Sequence, residues 1–142
     1  MEQQQRTVSP IRSRSNSRGE ARRILVVDDA VDSREILKEF LRRQGHEVCV
    51  AGDGLEGLVV ASKFRPQIVF LDIRMPRMDG FELCMRLRSN RLTQDAAVFA
   101  LTGGSYNGQI PADASGRFDA YLRKPIEWDV IEGLVRGAAT PL

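Results

Sequence analysis

The stretch IVFLDIRMPRMDG, Ile68 to Gly80, decides how this chain is read. Its first four residues are continuously apolar, the pattern of a strand buried on both faces, and they predict the central strand of a parallel sheet. Asp72 ends the run, and Pro76 and Gly80 mark a loop beyond it. Upstream, Ile24-Leu25-Val26-Val27 reads as a first buried strand closing on Asp28-Asp29, and Val48-Cys49-Val50 as a second. Downstream, Ala97 to Leu101 gives a fourth strand closing on Thr102, and Ala120-Tyr121-Leu122 a short fifth followed by Lys124-Pro125. Helical periodicity fills the intervals. Asp32 with Glu35 forms a capping-box-like start to a helix with Ile36, Leu37, Phe40 and Leu41 on one face, stopped by Gly45. Asp53 and Glu56 open a second helix running to about Lys63. Phe81, Leu83, Cys84 and Leu87 mark a third, and a last one spans about Glu127 to Ala138. Short apolar runs alternating with amphipathic helices predict an α/β fold of five βα units.

A chain of 142 residues fits one domain, and 42% apolar with 28% charged residues provides a core and excludes global disorder. No stretch approaches the ~20 apolar residues of a membrane span, so no membrane partner is expected. The start MEQQQRTVSP lacks an apolar secretory segment, so a cytoplasmic location is expected. Cys49 and Cys84 are too few for a disulfide framework or a four-cysteine zinc site and read as buried free thiols. Residues 1–23 hold six Arg against Glu2 and Glu20, a net of +4, so the rest of the chain sums to −2. Gln3 to Gly19 is rich in Gln, Ser and Arg, too poor in apolar residues to repay its ordering, and is expected to be disordered. The division is therefore residues 1–21 as tail and 22–140 as domain. A solvated leader, a contact with an anionic partner and a phosphorylated Ser are all open readings of the tail.

Open α/β sheets place their sites at the C-terminal ends of strands. There this sequence puts Asp28, Asp29, Asp72, Thr102 and Lys124. Two like charges ~4 Å apart cost roughly 4 kcal/mol at an effective dielectric near 20, so a carboxylate cluster calls for a cation. Oxygen donors with no His or Cys nearby select Mg²⁺. A carboxylate beside such a cation can attack phosphorus while Lys124 neutralises the phosphoryl oxygens. Lys124 is one of three lysines in a chain with 18 arginines, a compact charge kept where Arg is the habit.

Through RILVVDDA, VFLDIRMPRMDG, ALTG and YLRKP, with the AGDG run around Asp53, residues 22 to 139 resemble the response-regulator receiver domain of two-component phosphorelays. The resemblance implies a doubly wound, flavodoxin-like, five-stranded parallel sheet of order 2-1-3-4-5. It implies Asp72 as phosphoacceptor, served by a sensor histidine kinase or a histidine phosphotransfer protein. It implies Mg²⁺ held by Asp28, Asp29, Asp72 and the Arg74 main-chain carbonyl, with Thr102 and Lys124 on the phosphoryl oxygens. Tyr121 would reorient with Thr102 as a switch, and the Lys124-Pro125 bond would be cis. The expected protein is a single-domain signalling switch, not an enzyme beyond its own phosphorylation and dephosphorylation, with no DNA-binding domain and a possible homodimer. Two other readings stay open: a binding module that no longer phosphorylates, and a Mg²⁺-dependent aspartyl phosphohydrolase. The latter lacks the second Asp two residues past Asp72 that such phosphatases need. His46, in a Gly-His-Glu turn, reads as a surface loop residue. Between Thr102 and Asp119 the sequence departs from its relatives. Gly103, Gly104, Gly108 and Pro111 predict a shortened or irregular fourth helix, reduced to a turn from about Pro111 to Ser115.

Overall fold

The computed structural model of the protein describes residues 20–103 and 117–138. In chain order they form β1 (Arg23–Val27), α1 (Val31–Arg43), β2 (Glu47–Ala51), α2 (Gly54–Phe64), β3 (Ile68–Asp72), α3 (Gly80–Arg88), β4 (Ala97–Thr102), β5 (Ala120–Arg123) and α4 (Trp128–Ala138). The five strands make one parallel sheet of order β2-β1-β3-β4-β5. The expected fold is the observed one. The expected turn from Pro111 to Ser115, with the irregular helix it belongs to, lies outside the described residues, as do residues 1–19. Among the described residues no helix is long and apolar enough to cross a membrane.

Successive side chains of a strand point to opposite faces, and both faces here are covered. Leu25, Val27, Val69, Leu71, Val98 and Ala100 pack under α2 and α3 with Ala61, Leu83 and Leu87. Ile24, Val26, Ile68, Phe70, Phe99 and Leu101 pack on the other side with Leu37 and Leu41 of α1 and Ile131 and Val135 of α4. That double burial is why the strands read as unbroken apolar runs. The α1 face is narrower than its pattern suggests: Leu37 and Leu41 are buried, while Ile36 is 57% exposed.

The helix ends show which sequence cues govern the backbone. Asp53 accepts from Glu56 N at 2.9 Å, and Glu56 Oε1 accepts from Gly52 N at 2.7 Å, a reciprocal cap for α2. Asp79 caps α3 from one side only, accepting from Glu82 N at 2.9 Å while the Glu82 carboxylate accepts from Arg86. The Asp32 cap does not form. The N-cap of α1 is Ala30, without a side-chain cap bond, and Asp28 Oδ1 instead takes Ala30 N at 2.9 Å. At the other end of α1, Gly45 sits at φ 97°, with Gly45 N on Arg42 O and His46 N on Leu41 O, a Schellman ending. Both cysteines are free thiols; Cys84 is buried as expected, while Cys49 is only half-buried.

Candidate functional site

Backbone pairing brings the strand ends together before any side chain acts. Asp28 N donates to Ala51 O, Ile73 N to Leu101 O and Lys124 N to Thr102 O. β1, β3, β4 and the end of β5 therefore finish on one edge, with Asp28, Asp72, Thr102 and Lys124 on it. Gly80 lets α3 start against this edge: a Cβ there would stand 2.7 Å from the Asp72 carbonyl oxygen, so only glycine permits that approach.

Asp28 is 1% exposed and Asp72 7%. Lys124 Nζ donates to Asp28 Oδ2 at 3.0 Å and to Asp72 Oδ2 at 3.5 Å. Asp72 Oδ1 accepts from Arg74 N at 3.2 Å, closing the turn that carries the Arg74 peptide. Asp29 is exposed beside them. One carboxylate oxygen from each of Asp28, Asp29 and Asp72 lies within 4.8 Å of the others. These hard oxygen donors fit a Mg²⁺ ion, which takes one or two carboxylates and keeps several waters. An open cleft of about 500 Å³ adjoins them, lined by Asp29, Ile73, Arg74, Pro76, Asp79 and Phe81 among others.

Burial, with the Asp28 charge behind it, raises the Asp72 pKa to about 6 against the pull of Lys124. For Lys124, burial alone would lower the pKa, but the Asp28 hydrogen bond and the two carboxylate charges outweigh it and hold the ammonium above its usual range. Asp72 is thus ionised at neutral pH without being held far from its proton, and Lys124 stays charged. A carboxylate in that condition is a competent nucleophile, and the ammonium next to it is placed to meet anionic oxygens.

Thr102 is buried at the end of β4, and its hydroxyl donates to Leu122 O at 3.3 Å. Tyr121 sits apart from the Lys124 group: half-buried, it packs on the α2–α3 side of the sheet, its ring centroid 5.1 Å from that of Phe118. Lys124-Pro125 is cis. Sequence reading missed Arg34, whose Nη1 donates to Asp28 O at 3.0 Å and lies where a side chain on Gly52 would stand. It clamps the β1–α1 connection from the first turns of α1. The available cue was an arginine shortly after the paired aspartates with a glycine at the end of the next strand. Arg77 was missed as well; it adopts φ 71° and forms an ion pair with Asp53, joining the β3–α3 loop to the cap of α2.

Residues 24–136 match the response regulator receiver domain family. The chain belongs to that family. Among curated relatives, this receiver is 37% identical over 115 residues to the DNA-binding dual master transcriptional regulator RpaA of Synechocystis sp., covering 80% of this chain and 46% of that protein. It is 41% identical over 103 residues to the response regulator MprA of Mycobacterium sp. (strain KMS), covering 72% and 44%. Among solved structures it superposes on the response regulator TrrA of Thermotoga maritima, determined in complex with Mg(2+)-BeF. That match has a TM-score of 0.73 and 33% identity, covering 82% of this chain and 98% of that one. A putative response regulator from Chloroflexus aurantiacus gives a TM-score of 0.73 and 31% identity, covering 84% and 98%. The chain spans about half the length of the curated relatives it matches. The expectation of a receiver with no DNA-binding domain among its associations is corrected by these relatives, since RpaA is a DNA-binding transcriptional regulator. Nothing in a receiver's own motifs reports what the other half of such proteins carries.

Proposed function

We infer that this receiver is a Mg²⁺-dependent phosphoryl switch in which Asp72 accepts a phosphoryl group from a phosphohistidine of a sensor kinase or phosphotransfer protein. The observation that carries this reading is the desolvated Asp72 carboxylate, with Lys124 Nζ at 3.5 Å and two further carboxylates within reach. A carboxylate oxygen of Asp72 attacks phosphorus, the P–N bond to the imidazole breaks, and the departing ring keeps the bonding pair and takes up a proton. Asp28, Asp29, Asp72 and the Arg74 carbonyl would hold Mg²⁺, which supplies charge neutralisation at the phosphoryl oxygens. Lys124 exchanges its contact with Asp72 for the incoming oxygens while keeping Asp28. Thr102 turns its hydroxyl from Leu122 O toward the phosphoryl group, and Tyr121 follows into the space vacated. The Mg(2+)-BeF complex of the Thermotoga maritima relative supports the metal assignment. Residues 22–140 make up the receiver unit, with residues 1–21 a leader before it.

Acetyl phosphate with Mg²⁺, followed by peptide mapping, tests this. One modified residue, Asp72, is expected, and Asp72→Asn should label no more than background. Labelling that persists in that variant, or maps elsewhere in the parent, overturns the assignment.

A further inference from the structure

At the end of the sheet opposite the carboxylates lies a cavity of about 490 Å³ whose lining includes Arg22, Arg23, Arg65 and Arg91, with Asp95 the one acidic member among the described residues. Arg23 Nε donates to Arg65 O at 3.0 Å, which seats its guanidinium beside that residue. Arg22 meets Glu20 at 3.6 Å. The side chains of Arg65 and Arg91 have no partner among the described residues, and both are exposed. Arg65 also holds φ 53° at the end of α2, a left-handed position that favours Gly or Asn. An arginine kept at such a position, among three others, makes a cluster of like charges that an anion would relieve.

We propose that this cleft binds the phosphate backbone of a nucleic acid duplex. Guanidinium groups present forked donors that match phosphate oxygens. Among the described lining residues none is aromatic and Leu92 is the only large exposed apolar side chain, so they offer neither a base-stacking platform nor the buried anchors of a protein interface. Residues 1–21, which lead into Arg22, add Arg6, Arg12, Arg14 and Arg18 and contain no Phe, Trp or Tyr. Binding of this kind is independent of sequence and steeply dependent on salt. It does not rest on the phosphoryl reading of the opposite end.

The test is fluorescence anisotropy of a short labelled duplex of arbitrary sequence with the full chain, between ~50 and ~200 mM salt. The parent should bind, with affinity falling linearly on a log–log plot. Replacing Arg23, Arg65 and Arg91 together by Glu should weaken binding more than tenfold and lower the salt slope by roughly three, about one per lost phosphate contact. Arg91→Glu alone, at an exposed position, should lower it by about one and keep Asp72 labelling intact. Absence of salt-dependent binding by the parent overturns the proposal. So does binding that survives the triple variant but is lost when Arg6, Arg12, Arg14 and Arg18 become Gln, which would place the contact in the leader alone. Equal affinity for polyglutamate would assign the cleft to an acidic protein instead.

Discussion

At the C-terminal ends of the strands two buried carboxylates share one ammonium, with a third carboxylate beside them; at the N-terminal ends, among the described residues, four arginines face one exposed aspartate. The same sheet positions both groups, yet they differ in solvent. Asp28 and Asp72 are almost fully buried, whereas Arg23, Arg65 and Arg91 stand in water. Burial strengthens each interaction and makes each missing partner costly, so charge at the first end sets proton affinity and fold stability. Water and salt screen the second end, where charge affects encounters with other molecules far more than the fold. Replacements of similar chemistry at the two ends should therefore have unequal consequences.

Lys124→Met should show the largest difference. It strands Asp28 and Asp72 without their shared cation, which costs about 3 kcal/mol by analogy with other broken buried pairs. It should also drive the Asp72 pKa above its present value of about 6. Arg91→Met, at the exposed end, should stay within ~0.5 kcal/mol of the parent. Urea unfolding of both variants measures this, with carboxyl NMR titration for Asp72. Equal losses would abolish the distinction between the two ends.

Magnesium comes next. A ligand that binds only the folded state stabilises it by about 2.7 kcal/mol at a hundredfold excess over Kd. Asp29→Ala removes an exposed donor and should erase that gain while leaving the metal-free fold as stable as the parent or more so. Arg91→Glu should leave the gain unchanged. A melting temperature indifferent to Mg²⁺ in the parent would remove the metal from the acidic end.

Acidification should separate the ends by sign. Asp72 keeps its proton to about pH 6 in the folded state against an ordinary 3.8, so the folded state binds more protons and stability falls as pH rises across that interval. His46, whose pKa burial and then Arg22 hold below the ordinary 6.5, accepts Arg22 N at 3.0 Å through Nδ1. There the unfolded state binds the proton more readily, so the bond's contribution is complete above 6.5 and is lost as pH falls below it. Asp72→Asn should flatten the first dependence and His46→Gln the second. If either variant flattens both, the two groups are coupled across the sheet.

How far sequence alone reached depends on how local the cause is. β1, β3 and β4 are legible because burial on both faces leaves an unbroken apolar run. The aspartates, Thr102 and Lys124 are legible because each directly follows a strand. Asp32 misleads because an Asp–Glu pair three residues apart resembles a cap, whereas the cap position is decided by where Asp28 already spends its oxygen on Ala30 N. The preference of Lys124 for Asp28 over Asp72, the clamp of Arg34 on the Asp28 carbonyl and the half-buried His46 all arise between elements far apart in the chain. No periodicity records them. The basic end escaped for the same reason: Arg23, Arg65 and Arg91 are scattered singly through the sequence and meet only where the strands begin.

Arg65→Gly addresses the smallest effect, and it links stability to the proposed binding. At φ 53° a Cβ is strained by about 1 kcal/mol relative to glycine. Glycine gives back part of that relief by loosening the unfolded chain. The Arg65 carbonyl can still accept from Arg23 Nε, and Arg65 N can still bond Ala61 O. The net should be a gain of about 0.5 kcal/mol, a rise of a degree or two in melting temperature for a domain of this size. Duplex affinity should fall at the same time, with the salt slope down by about one. A variant more stable yet poorer at binding is what an arginine kept for its side chain requires. If Arg65→Gly loses stability instead, the left-handed arginine is a packing residue, and the basic end owes its shape to the fold alone.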